Sequence, residues 1–342
     1  MKLVKLFSML FFLSFLWACQ ANDSNSNEEN TIYTSIYPIE YIASEIAGDH
    51  VQVNTVVPSG ADAHSYEPST KTMIELSSSD AFYFVGEGME SFSETMAESV
   101  QSEDVHILRL AEYEQLFEDF TQDEGLINQS SESNQEDEDE HEHEEDDHFD
   151  EDNHQEEETH ENDAEDDHAH GDFDPHFWLD PIRMIDAGEI VLDDLIQLYP
   201  EQEEAFRENF EAYKNKMNEL DEEYNNQLDQ EVSILVTHKS FSYMEERYPI
   251  KQHSIRGVSA SQEPSQRELQ QLFEQIEELG IDSIVFEENS DDRLAQTIAN
   301  ELNLTKYYLN NLSTRTEDNV KQDKDYYDIM IDNLNVLNEI QP

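Results

Sequence analysis

The feature that most restricts the fold is an apolar stripe in the middle of the chain. Phe206, Phe210, Tyr213, Met217, Leu220, Tyr224 and Leu228 recur at steps of three and four residues, the spacing that places side chains on one face of an α-helix. The stripe predicts one helix of about 28 residues, roughly 40 Å long at 1.5 Å rise per residue. Pro200 separates it from an earlier helical run over residues 184–198. A coiled-coil partner would also cover such a stripe, but short β-rich runs alternating with amphipathic runs flank it on both sides. That flanking pattern favours a strut packed along two lobes.

Before the stripe, residues 31–35, 51–57, 81–85 and 105–108 read as strands, with helices between them. After it, residues 232–237, 281–286 and 306–309 read as strands, and the chain closes with a helix over 326–340. The expected fold class is α/β: two lobes, each with a central, mostly parallel sheet flanked by helices, joined by one long rigid helix. The expected divisions are a signal peptide at 1–18, a tether at 19–30, an N-terminal α/β lobe at 31–182, a connecting helical segment at 183–230 and a C-terminal α/β lobe at 231–342.

The chain starts with Lys2 and Lys5, then an apolar run over residues 6–17 that is shorter than a spanning helix requires. Ala18 then precedes Cys19, the only cysteine. This reads as a secretory signal with a lipobox-like site, making Cys19 the lipidated first residue of a protein anchored to the outer face of a bacterial cell membrane. The alternative is an ordinary signal peptide with an incidental cysteine. With Cys19 lipidated, no thiol is left for a disulfide or a Cys-ligated metal.

Inside the first lobe, from about residue 122 to 172, the pattern gives way to an Asp/Glu run that cannot bury a core and reads as disordered. It holds His141, His143, His148, His154, His160, His168 and His170. Imidazoles beside carboxylates bind divalent ions loosely, so the run is either an auxiliary metal collector or a solvated insert with no role. The formal charge of −64 excludes a general nucleic-acid binder, because phosphate backbones would be repelled.

Three further histidines stand apart from that run. His64 follows the Pro58-Ser59-Gly60 turn, His176 lies between Asp174-Pro175 and Asp180-Pro181, and His238 ends the strand at 232–237. In parallel sheets ligands gather beyond the carboxyl ends of strands, so these three can share a cleft between the lobes. Imidazole is a common ligand for borderline-soft divalent metals, and a set of three points to Zn²⁺. Glu287, with Glu288 beside it, ends another strand and suits either a fourth, oxygen ligand or a partner orienting an imidazole. His50, His106 and His253 read as structural, and Phe177 and Trp178 either exclude water from the cleft or simply pack a core.

Several segments in this order resemble one family: Ser35-Ile36-Tyr37-Pro38, Gly60 to Pro68, the His-rich insert, Asp174 to Pro181, Thr237-His238-Lys239-Ser240-Phe241, and Gly257-Val258-Ser259 with Glu263-Pro264-Ser265. The chain is similar to the zinc-specific solute-binding lipoproteins of ABC importers, the ZnuA type. The resemblance implies that His64, His176 and His238 hold Zn²⁺ as transported ligand. It also implies that the partner is a membrane permease and that the protein is a monomeric, extracytoplasmic binder and not an enzyme. Some zinc-binding relatives take a fourth ligand, Glu, after Leu-Asn-Pro-Leu; here Leu309-Asn310-Asn311-Leu312 is followed by Ser313, which leaves water or Glu287 for that position. The resemblance also admits a manganese or iron carrier or an adhesin of the same fold. A rival of another class is a zinc hydrolase with three histidine ligands, although the sequence has no HExxH-like motif.

Overall fold

The computed structural model describes residues 30–86, 88–117, 174–256, 265–288 and 292–342. Cys19, the seven insert histidines and the Gly257-Val258-Ser259 motif lie outside the described residues. Residues Thr31–Pro342 form one contact unit. No described helix is long and apolar enough to cross a membrane.

Strands β1 (Thr31–Thr34), β2 (Gln52–Thr55), β3 (Ala81–Phe84) and β4 (His106–Arg109) form a four-stranded sheet in the order β2-β1-β3-β4. Strands β5 (Val232–Val236), β6 (Ile250–Ser254), β7 (Ser283–Glu287) and β8 (Thr305–Leu309) form a second sheet in the equivalent order β6-β5-β7-β8. Every pair is parallel. The strand order reverses between β1 and β3 in one sheet and between β5 and β7 in the other, which opens a crevice beyond the carboxyl ends of those strands. The inner strands β3 and β7 are buried along their whole length, and β3, Ala81–Phe84, is apolar throughout, as expected of a parallel strand covered on both faces. In the second sheet the period of two sorts residues between layers: Ile234, Val236 and Val285 join the main core, while Leu235, Ile284 and Phe286 meet Leu272, Ile276 and Ile298 on the other side.

Among the described residues the α-helices are α1 (Tyr37–Ala47), α2 (Thr70–Leu76), α3 (Ser91–Ser99), α4 (Pro181–Leu198), α5 (Glu203–Gln227), α6 (Ser242–Arg247), α7 (Gln266–Glu278), α8 (Arg293–Glu301), α9 (Glu317–Lys321) and α10 (Tyr326–Ile340). Their starts are legible in the sequence where a side chain replaces a missing helical partner. Ser69 accepts from the Thr72 amide, Asp180 from the Ile182 amide, and Asp325 and Asp328 form a reciprocal capping box. The sequence reading lacks strand β6, and it lacks α6 and α9, which at six and five residues are too short to show a period.

The striped helix is α5, and at 25 residues it is shorter than the 28 expected. Pro200–Gln202 forms a separate 3₁₀ turn ahead of it, and Leu228 leaves the helix as its C-cap. Phe206, Phe210, Tyr213, Met217, Leu220 and Tyr224 are all buried. The N-terminal half lies on α4, where the Tyr213 hydroxyl donates to the Met184 carbonyl (2.7 Å). The C-terminal half lies on α10, where the Tyr224 hydroxyl donates to the Met330 carbonyl (2.6 Å), and the Tyr224 ring is 4.8 Å from that of Tyr248. The strut is thus clamped to both lobes.

The closest approach in this clamp is at Gly188 of α4, where a β-carbon would sit 2.7 Å from Tyr213 Cε1 and 3.1 Å from Phe210 Cε2. Glycine inside a helix is otherwise unfavourable by about 1 kcal/mol relative to alanine. Gly188→Ala is therefore expected to destabilise the protein by about 1–3 kcal/mol through overpacking, despite the better helix former. Urea unfolding measures this, and a variant as stable as the wild type would show that the two helices are not in this contact.

Candidate metal centre

The three histidines arrive from three connections. His64 lies in the loop after β2, where the Asp62 carboxylate accepts from the His64 amide (3.0 Å) and the Ser65 hydroxyl (2.9 Å) and so folds the loop on itself. His176 stands just before the Phe177–Leu179 turn that leads into α4. His238 is the second residue past β5, the strand at the reversal point of the second sheet. His64 follows an outer strand and His238 an inner one, so the two loops are not equivalent in their lobes, although both leave carboxyl ends.

The structure brings the three rings together. Ring centroids are 5.8 Å apart for His64 and His176, 6.0 Å for His64 and His238, and 5.7 Å for His176 and His238. One ligand nitrogen from each lies within 4.8 Å of the other two. The cluster is graded in exposure: His176 is fully buried, the His238 side chain is 18% exposed and His64 is open to solvent.

Two of the rings are oriented from behind by carboxylates. Asp174 Oδ1 accepts from the His176 amide (2.9 Å) and faces His176 Nδ1 at 2.7 Å. Glu287 Oε1 faces His238 Nδ1 at 2.8 Å. With each Nδ1 engaged, the Nε2 atoms of His176 and His238 are left buried without a hydrogen-bond partner. A buried, unpaired ring nitrogen is costly, and a metal ion is a ligand that would satisfy two at once.

The charges follow the same plan. Burial pushes the Asp174 carboxyl up, but the His176 ring and the hydrogen bonds from its ring and amide outweigh that and hold it below the usual carboxylate range. Burial likewise acts against ionised Glu287, and His238 outweighs it, so Glu287 is also held low. Burial lowers the His238 pKa, whereas the Glu287 carboxylate raises it by more, and the net shift is upward. At His64 the packing around the ring, then the neighbouring His176 and His238, press the pKa down to about 4. The solvent-open flank of His64 screens part of this, and the downward direction stands on both causes.

Glu287 is committed on both oxygens. Oε1 also accepts from the Ser240 hydroxyl (3.1 Å) and Oε2 accepts from Asn311 Nδ2 (2.5 Å). It stands behind His238 and outside the nitrogen cluster. Ser313 donates its hydroxyl to Asn311 Oδ1 (2.9 Å). Trp178 is fully buried, with its ring 5.2 Å from that of His176 and its indole N–H on the Asn311 carbonyl (2.7 Å), so it lines the cluster as well as packing the core.

The remaining described histidines lie elsewhere. His106 Nε2 meets Asp194 at 2.7 Å, His50 sits edge-on to Phe206 at 6.1 Å, and His253 is half-buried on strand β6. Sequence reasoning missed Asp174 as a charge partner, and it quoted Asn311 only within the 309–312 segment, without a role. The Asp-x-His spacing, which lets a carboxylate reach an amide and ring two residues on, was a usable signal for Asp174. Asn311 had none, because its partners are distant in sequence.

The model of one family, the periplasmic zinc-uptake complex component A (ZnuA), matches residues 32–340. The chain is 30% identical over 341 residues to the zinc-binding lipoprotein AdcA of Streptococcus pneumoniae, covering 99% of this chain and 61% of that protein. It thus spans about three-fifths of the length of that relative. It is 26% identical over 310 residues to the high-affinity zinc uptake system protein ZnuA of Bacillus subtilis, covering 90% of this chain and 86% of that one. Among solved structures, the Zn(II)-bound ZnuA-like domain of Streptococcus pneumoniae AdcA superposes with a TM-score of 0.65 at 27% identity, covering 92% of this chain and 99% of that one. With the family match running over both lobes and every segment that carries a clustered histidine, the chain belongs to the ZnuA family of zinc-uptake components.

Proposed function

We propose that the chain is the zinc-capturing component of an ABC importer, holding Zn²⁺ with His64, His176 and His238 and passing it to a membrane permease. The observation that carries this reading is the convergence of three imidazoles with two buried, unpartnered Nε2 atoms. An all-imidazole set suits Zn²⁺ better than Mn²⁺, which favours carboxylate and water oxygens. Relatives named for zinc binding and zinc uptake support the same choice. The fourth position goes to water, because Glu287 and Ser313 are engaged elsewhere. Capture starts from the exposed His64 side, where the hydrated ion meets its first imidazole, and completes on the buried pair. The role is binding and delivery, in keeping with relatives named as binding and uptake proteins. Lipidation at Cys19 would hold the protein at the outer face of the membrane, beside the permease, and the insert histidines would add loose capture nearby.

His64→Ala is the cleanest test, since the ring sits on an exposed loop and its loss leaves no buried charge unpaired. Zinc affinity is expected to fall by more than the roughly 10–100-fold typical of losing an outer-shell partner. Dye-competition titration reads this, and one equivalent still bound tightly by the triple His64, His176 and His238→Ala variant would refute the site.

Protons compete with zinc for the same nitrogens, and the direction follows from the two shifted histidines. Packing and the two neighbouring rings hold the His64 pKa below the usual imidazole range, so its proton opposes zinc little near neutral pH. His238 keeps its proton above the usual imidazole range, and that proton must leave for metal to bind. Affinity should therefore drop as pH falls, by about tenfold per unit, with the drop setting in above about pH 6.5. Glu287→Gln removes the charge that retains the proton, so the onset should move to lower pH while binding at high pH weakens by about 10–100-fold. Calorimetric titration of both proteins from about pH 5 to 8 measures the two onsets. Identical onsets would contradict the assigned role of Glu287.

A further inference from the structure

Residues 310–315, between β8 and α9, touch all three ligand-bearing segments. Asn311 Nδ2 donates to Glu287 Oε2 (2.5 Å), the carboxylate that faces His238 Nδ1 through its other oxygen. The Asn311 carbonyl accepts from Trp178 Nε1 (2.7 Å), whose ring lies against His176. Thr314 Oγ1 donates to the Ala61 carbonyl (2.8 Å) and the Arg315 carbonyl accepts from the Gly60 amide (2.7 Å), both in the loop that carries His64. These contacts join a segment of the second lobe to the His64 loop of the first.

The segment is itself held in a costly shape. Leu312 is fully buried and has φ +58°, a left-handed conformation that disfavours any side chain with a β-carbon. Such a conformation persists where the surroundings over-determine it. Here the Leu312 amide donates to Asn310 Oδ1 (2.7 Å), and the Ser313 amide donates to Asn311 Oδ1 (3.1 Å). Asn333 of α10 grips the Asn310 main chain on both sides, accepting from its amide (2.9 Å) and donating to its carbonyl (2.8 Å). The outcome is one asparagine whose side chain and carbonyl point to partners of two different ligands.

We propose that this segment is the positioning element of the metal centre, with Asn311 setting His238 through Glu287 and His176 through Trp178, and Thr314 setting the His64 loop through Ala61. The inference rests on the zinc reading above. It makes the site a product of one strap that spans both lobes, so that releasing His64 requires breaking the Thr314 and Arg315 contacts.

Two near-isosteric substitutions test it. Asn311→Asp keeps the Oδ1 acceptor that folds the turn and replaces the donor to Glu287 with an oxygen. Thr314→Val keeps the shape and removes the donor to Ala61. Each is expected to weaken Zn²⁺ binding by about 10–100-fold in chelator competition, the range for outer-shell partners, and to speed zinc loss correspondingly. In ¹⁵N spectra of the imidazoles, Asn311→Asp should shift the His238 resonances, a change that a purely structural turn residue would not cause. Thermal unfolding of the zinc-free proteins reports whether each variant folds. A folded Asn311→Asp that binds zinc within about twofold of wild type with unchanged His238 resonances overturns the proposal, and if that variant does not fold, wild-type binding by Thr314→Val overturns it instead. The triple histidine variant separates the two levels: tight zinc binding there refutes the zinc reading, whereas its loss alongside intact binding in the strap variants refutes only the strap.

Discussion

The arrangement of the two lobes depends on the buried stripe of α5. Six large side chains go from water into the contact with α4 and α10, and at about 1.5–3 kcal/mol each the gross gain is comparable with the entire stability of an ordinary domain. That figure is an upper bound, since the unfolded chain already hides part of this surface. The exposed ion pairs on the same helix, such as Arg207 with Glu203, contribute about 0–1 kcal/mol each and do not decide its position. Two hydroxyls, on Tyr213 and Tyr224, fix the rotation of the strut by ending on main-chain carbonyls of different neighbours. A helix gripped this way over its whole length is a poor hinge.

At the site, electrostatics does what packing cannot. Burying two carboxylates beside two imidazoles is unfavourable unless each charge has a partner, and the Asp174–His176 and Glu287–His238 contacts supply those partners. The same contacts use up each Nδ1, which turns each Nε2 toward the cluster and leaves it unsatisfied. The three histidines thereby sit in different settings: His176 is buried in the interior, His238 has its pKa raised by Glu287, and His64 is exposed with its pKa pressed down by packing and by the other two rings.

Most of the fold was legible because its elements announce themselves locally. The closing helix over 326–340 is present as α10, and the Ser69 cap starts α2 as its sequence suggests. Boundaries moved by up to three residues, as at the Pro181 start of α4, strand β6 was not among the strands read, and α6 and α9 escaped notice because five or six residues do not complete a readable period. The candidate ligands were legible as residue types at strand ends and turns. Their distances were not, since His64 and His238 are joined through two sheets and a strut, and no local rule measures that path. Glu287 illustrates the gap: the sequence offered it equally as ligand or orienting partner, and its three hydrogen-bonding neighbours place it behind His238.

The sequence by itself determined that two parallel α/β lobes flank one long helix, that three histidines stand near the ends of their elements, and that a polar, acidic run lies between the first four strands and that helix. These follow from periodicity and composition, which are local properties of a chain. Only the tertiary structure decided that the three rings meet, which nitrogen of His176 and of His238 is left unpartnered, and that Asn311 reaches partners of both. Those outcomes depend on side-chain hydrogen bonds between residues far apart in sequence, 133 positions for Trp178 to Asn311 and 253 for Thr314 to Ala61, and such contacts exist only once both lobes are packed against the strut.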